Sequence, residues 1–187
     1  DLLQGKGRTY GAEMQIAKVE GRLVGSLGYT YSRSLRTING VFPEEKINGG
    51  KEYASNFDQP HVVNLSWKYN ITRRYFFTGS FTYRTGRPIT LPMSAFSVEN
   101  FTVSAFSDRN QFRVPDYHRL DIGLVMEGNH KRKKIWDGTW TLSVYNVYAR
   151  KNPYSIFFKE VRPGILRPYR LAIIGTALPS ISYSFKL

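Results

Sequence analysis

Cysteine is absent from all 187 residues. No disulfide scaffold is therefore possible, while the redox compartment stays open, since exported and cytosolic chains both manage without cysteine. No apolar run approaches the roughly 18 residues that would mark a membrane helix. That absence leaves a membrane β-barrel untouched, because its strands need only ~9 to 11 alternating residues. Acidic side chains are scarce, 14 against 27 basic ones, for a formal charge of +13. Such an imbalance suits an anionic partner such as nucleic acid, phospholipid headgroups or lipopolysaccharide. No signal peptide is present and the chain opens at Asp1, which is expected of a piece of a longer exported protein.

What the chain does hold is aromatic residues, 15% of the total with 13 Tyr and 12 Phe, interleaved with Ser, Thr and Gly in a manner that favours strands. From Ser180 to Leu187 the alternation is unbroken: Ile181, Tyr183, Phe185 and Leu187 point one way, and Ser180, Ser182, Ser184 and Lys186 the other. The same period of two predicts a first strand over Thr9 to Lys18, a second after the Glu20-Gly21 turn with Leu23, Leu27, Tyr29 and Tyr31 on one face, and a third from Val62 to Ile71. A fourth starts at Tyr75 and runs loosely to Leu91, a fifth spans Tyr117 to Glu127, and a sixth starts at Thr139 and is expected to pass Asn146 towards Phe158. The seventh is expected to start near Tyr169, break at Pro179 and end the chain. Between them lie long loops, from about Arg36 to Pro60, to about Asp116, and around Pro163, Gly164 and Pro168.

Connections thus alternate short and long, as antiparallel neighbours do when their two ends face different environments. Glu13, Gln15, Asn64, Lys68, Arg84, Arg119 and Asp121 fall on the polar faces, too many for a dry core. The opposite faces are too uniformly apolar for water. Lipid outside and a wet lumen inside satisfies both, with Tyr29, Tyr31, Trp67, Tyr69, Tyr75, Trp140 and Tyr183 near strand ends as interfacial girdles. The expected fold is all-β, an antiparallel transmembrane β-barrel segment of about seven strands occupying residues 1–187. A soluble β-sandwich shares the period-two pattern, but loops of about 25 to 30 residues gathered at one end speak against it.

Five segments occur in an informative order: Gly7-Arg8-Thr9-Tyr10-Gly11-Ala12-Glu13, Tyr83-Arg84-Thr85-Gly86-Arg87-Pro88, Tyr117-His118-Arg119-Leu120-Asp121, Tyr145 to Tyr154 (YNVYARKNPY), and Pro179 to Lys186 (PSISYSFK). Together they resemble the C-terminal part of TonB-dependent outer-membrane receptors of the Bacteroidota type. The resemblance implies residence in the cell outer membrane as the last third of a barrel of about 22 strands, with a separate N-terminal plug that has no counterpart here. It implies energised nutrient uptake, with the upstream part of the same barrel, outer-membrane lipid and lipopolysaccharide, and the TonB complex acting through the plug as partners. In that family the C-terminus is periplasmic, which would make the short connections periplasmic and the long ones extracellular. The terminal strand also serves there as the address read by the barrel assembly machinery, a role that falls on Tyr183, Phe185 and Leu187. The last residue departs from the family's usual Phe, with Phe185 two positions earlier.

No metal, cofactor or catalytic site is expected: His61, His118 and His130 lie on separate strand starts or a turn without ligand spacing, and Ser, His and acid residues form no distinctive triad. His118 is expected to make a structural hydrogen bond beside Arg119 and Asp121, whose charges pair on the polar face. Lys131 to Lys134, with Arg73 and Arg74, read as solvated turns that attract lipid phosphates rather than as a nucleic-acid site, since the aromatics lie on the opposite faces. Arg36, Glu44, Glu45, Lys46, Arg109 and Arg113 fall in the long loops and are candidate ligand contacts. Two readings from other classes stand beside transport: a barrel fragment held as substrate or partner by an assembly or secretion machine, and a soluble basic β-domain that binds an anionic partner.

Overall fold

The computed structural model describes residues 3–98, 101–128, 137–162 and 165–186. Its strands are β1 (Lys6–Lys18), β2 (Leu23–Thr37), β3 (Tyr53–Ala54), β4 (His61–Asn70), β5 (Tyr75–Arg84), β6 (Pro88–Ile89), β7 (Pro92–Val98), β8 (Phe101–Phe106), β9 (Phe112–Arg113), β10 (Tyr117–Glu127), β11 (Asp137–Tyr145), β12 (Ser155–Arg162), β13 (Ile165–Leu171) and β14 (Leu178–Lys186). Two single-turn 3-10 helices, Pro43–Glu45 and Asn48–Gly50, lie between β2 and β3.

The chain is all-β, and its main sheet is an antiparallel meander in the order β1-β2-β4-β5-β10-β11-β14, with β3 added to the end of β2. These seven long strands are those that the alternation predicts. Because each neighbour reverses direction, the short connections all fall at one end of the sheet and the long ones at the other. The sheet does not close on itself: among the described residues β1 pairs with β2 alone and β14 with β11 alone.

Register decides what each face carries, since directly opposed residues in an antiparallel ladder project to the same side. One line of partners runs Ile16, Leu27, Leu65, Phe81 and Leu120; another runs Tyr69, Phe77, Leu124, Leu142 and Ile181. The opposite face carries Ser26, Ser66, Ser80 and Asp121 in one row, with Ser26 and Ser66 joined through their hydroxyls at 2.9 Å. Seven strands therefore share one continuous apolar face.

Nothing in the described chain packs onto that face. Ile181 is 65% exposed, Phe185 63% and Leu142 56%, whereas the buried apolar side chains described, Leu35, Tyr53, Pro88 and Val114, lie at or near the long-connection end. Aromatic rings instead lie along the face itself. Trp67 folds over Gly79 on the neighbouring strand, so that a Cβ at Gly79 would sit 2.1 Å from the ring, and Tyr183 covers Gly138 in the same way.

The structure departs from the sequence reading at the long connections. Residues 85–116 hold two strand pairs, β6 with β9 and β7 with β8. The sixth strand stops at Tyr145 rather than continuing, because Asn146 and Ala149 take left-handed backbone angles, φ 54° and 53°, that no strand accommodates. Residues 155–171 then form a separate hairpin, β12 with β13, and the last strand starts at Leu178. At the first long connection β2 runs on to Thr37, which puts Arg36 on a strand.

Candidate functional site

The most deeply buried side chains described are polar, and all three lie where the long connections return to the sheet: Ser55, Asp58 and Asn146, each about 1% exposed. Each is fully engaged. Asp58 Oδ1 accepts the Ser34 amide at 2.7 Å and Arg33 Nε at 3.1 Å, and Oδ2 accepts Arg113 Nη2. Ser55 Oγ donates to Ser34 Oγ at 2.8 Å. Asn146 donates Nδ2 to the carbonyls of Arg150 and Thr176, and its Oδ1 accepts the Arg150 amide. A buried polar group costs stability unless it is paired, and among the described residues no buried side-chain nitrogen or oxygen lacks a partner.

Asp116 makes a second anchor. Tyr83 donates its hydroxyl to Oδ2 at 2.6 Å, the Gly86 amide donates to Oδ1 at 2.8 Å, and Arg150 Nη2 reaches the backbone carbonyl at 3.0 Å. The Tyr83 hydroxyl is the main influence holding this carboxyl below its ordinary value; burial opposes it and the Gly86 amide reinforces it. At Asp58 burial is the largest single influence and acts upward, yet the Ser34 amide with Arg113 and Arg33 outweighs it and the carboxyl is lowered. Both anchors are therefore anionic at neutral pH.

These anchors frame a hollow of about 600 Å³ on the polar face, at the long-connection end. Arg84 of β5, Tyr117 and Arg119 of β10 and Tyr145 of β11 form its floor; Gly86, Arg87 and Val114 form one side, and Asn152 to Tyr154 with Ile173 and Ile174 the other. Arg119 is held on three sides, by Asp121 Oδ2 at 2.9 Å and by the hydroxyls of Tyr117 at 3.0 Å and Tyr145 at 2.6 Å, with its guanidinium carbon 4.1 Å from the Tyr145 ring centre. The expected Arg119–Asp121 pair on the polar face is present. Gly86 admits no side chain, since a Cβ there would meet the Val114 carbonyl oxygen at 1.6 Å.

The residues singled out from sequence scatter more widely. Glu45 Oε2 caps its own turn by accepting the Val41 and Phe42 amides, with Glu44 beside it and Lys46 bridged to Asn39. Arg109 exchanges backbone bonds with the Asn48 side chain and lines a smaller hollow with Asn56, Arg87 and Asn110. Arg113 is committed to Asp58 and to the carbonyls of Asp58 and Gly86. Arg36 is exposed on β2. Tyr183 and Phe185 lie on the apolar face of β14, at the sheet edge, with ring centres 6.2 Å apart, and Tyr183 packs on Trp140 at 4.6 Å. Leu187, the Lys131 to Lys134 run and His130 lie outside the described residues.

His61 shares a hydrogen bond with the Tyr29 hydroxyl, and His118 with that of Tyr148, both at 2.8 Å. By register both project to the apolar-face side, away from the hollow. Among the described residues no cluster of His, Asp and Glu has the form of a metal site. Sequence reasoning missed Asp58, Asp116, Asn146 and Arg87 as a group. The signal was nonetheless present, because the 83–88, 117–121 and 145–154 segments quoted above converge here: Arg87 Nη2 donates to the Tyr154 carbonyl at 3.1 Å, and Asn152 Nδ2 to the His118 carbonyl at 2.9 Å. Comparison with protein-family models, with curated proteins and with solved structures gives no match to this chain.

Proposed function

We propose that the chain is a wall segment of an outer-membrane β-barrel of the TonB-dependent receptor type, seven strands of about 22, taking part in energised uptake rather than in catalysis. The observation that carries this reading is the continuous apolar face with no core beneath it. Six spacings of ~4.8 Å by about eight residues at ~3.3 Å give a face of roughly 29 Å by 26 Å, about 750 Å² even as a flat projection. The largest apolar patch on a typical soluble monomer is about 300–600 Å². Lipid is the solvent that suits such a face.

Strand length supports the same conclusion. The seven strands have between 9 and 15 residues; ten residues rise about 33 Å, which at a tilt of ~45° spans about 23 Å, close to the ~25 Å apolar band of outer-membrane barrels. The polar face then lines the lumen. The open outer edges of β1 and β14 need strands from upstream residues of the same protein, because lipid satisfies no backbone N–H or C=O. Those same open edges favour a second reading, in which the chain is held by an assembly machine whose own edge strand pairs with β14.

The test compares faces. In the protein as its gene encodes it, Leu65→Arg is expected to destabilise the folded barrel by about 2–4 kcal/mol, and Ser66→Arg by far less, measured as the shift in urea midpoint after refolding into lipid. Equal penalties contradict the assignment of faces.

A further inference from the structure

The hollow on the polar face carries more positive charge than its surroundings neutralise. Arg84 is exposed and makes no ion pair or side-chain hydrogen bond among the described residues. Arg87 donates one N–H to the Tyr154 carbonyl and likewise has no acid partner there. Asp58 is paired with Arg33 and Arg113 and Asp121 with Arg119, while Asp116, held by the neutral Tyr83 and Gly86 donors, has Arg113 and Arg150 as its nearby cations. No acidic side chain lines the hollow. Two guanidinium groups therefore face it without compensation.

The phenols point to what lies between them. Tyr117 and Tyr145 accept hydrogen bonds from Arg119, which leaves their own O–H groups free to donate. Four donor groups thus line the hollow, two guanidinium forks and two phenol hydroxyls. The volume of about 600 Å³ lies within the ~300–1,000 Å³ usual for small-molecule sites. Arginine forks bind phosphate as well as carboxylate, but many phosphate sites add clustered backbone N–H groups or a helix N-terminus to them. Here the Gly86 amide is taken by Asp116, so the planar fork of arginine, which matches a planar carboxylate, is the stronger feature.

We propose that this hollow binds a small, flat-bodied molecule bearing at least two carboxylates, which are held by Arg84 and Arg87 while the body lies against Tyr117 and Tyr145. The proposal rests on the barrel reading only for its orientation, since a polar face turned to the lumen puts the site on the path of a transported ligand.

The test uses the full gene product in detergent micelles, titrated calorimetrically with benzene-1,3,5-tricarboxylate and with the neutral benzene-1,3,5-trimethanol. The tricarboxylate is expected to bind and the triol not. Arg84→Ala with Arg87→Ala should weaken the tricarboxylate by about tenfold or more, which is ~1.4 kcal/mol, and the corresponding Lys pair should recover part of the loss. Added salt should weaken it as well. Equal affinity in the double-alanine variant, or binding of the triol, overturns the proposal, and so does failure of the tricarboxylate to bind a folded barrel. Heat-modifiable migration in gels is read separately. Arginine-dependent binding in a protein that lacks it would sink the barrel reading and leave the site standing.

Discussion

Trp67 and Gly79 illustrate how single residues set the character of the sheet, because the indole occupies the space that a side chain on the next strand would fill. Adding a methyl there pushes against the far end of a ring that is free to swing outward. At Gly86 the obstacle is the Val114 backbone oxygen, which has nowhere to go. Gly79→Ala is therefore expected to cost about 1 kcal/mol and Gly86→Ala about 3 kcal/mol or more, read from urea midpoints of the refolded protein. A larger loss at Gly79 than at Gly86 would contradict the packing described. Asp58 supplies the pH dependence. Its carboxyl lies below the ordinary 3.8 when the connection is docked, so the undocked form binds a proton more readily. The anchor is thus at full strength above the ordinary carboxylate value, and its contribution is lost as pH falls through the depressed one. Exchange of the Ser34 amide, corrected for its intrinsic rate, should accelerate in that acid range, and Asp58→Asn should remove the pH dependence while costing about 1.5–3 kcal/mol of local stability at neutral pH. Unchanged protection in the Asn variant would show that the carboxylate is not the anchor.

At the scale of elements, the strands of the main sheet were legible and the connections were not, for a physical reason. A long strand with two different faces writes period two into eight or more residues, as β10 does with Leu120, Ile122, Leu124 and Met126. The β6 and β9 strands are two residues each, β7 shows no regular alternation, and the alternation in β8 lasts only from Phe101 to Ala105, so too little periodicity accumulates. Nor does local pattern foretell that β11 ends at Tyr145, because that break depends on a backbone turn locked by contacts from Asn146 to Arg150 and Thr176. The candidate site suffers most from this. Its segments stand out as motifs, yet the aspartates that bring them together, Asp58 and Asp116, lie in stretches that sequence shows only as loop. For β14 the expectation concerns biogenesis: deleting Ser182 to Leu187 from the gene product removes most of the strand paired with Thr141 to Asp137 and should abolish membrane insertion without reducing synthesis. Protease-resistant, heat-modifiable barrel recovered at parental levels from the deletion would count against a role for Tyr183 and Phe185 in assembly.

For the whole molecule, the mean hydropathy of −0.39 is low because most apolar strand positions alternate with polar ones and the long connections are polar. Among the described residues no helix is long and apolar enough to cross a membrane, which bears on helices alone. What organises the chain is the sorting of side chains to two faces of one sheet, and the basic excess at the short-connection end, with Lys18, Arg22, Arg73 and Arg74, fits a rim in contact with lipid phosphates. The absence of cysteine makes this sorting directly measurable, since any cysteine introduced will be the sole site of labelling. Single cysteines from Leu120 to Met126, spin-labelled in the lipid-embedded gene product, report access to apolar oxygen and to a water-soluble nickel chelate. The account predicts oxygen access at 120, 122, 124 and 126 and chelate access at 121, 123 and 125, in strict alternation; labels that all respond alike, or that alternate in the opposite phase, would contradict it.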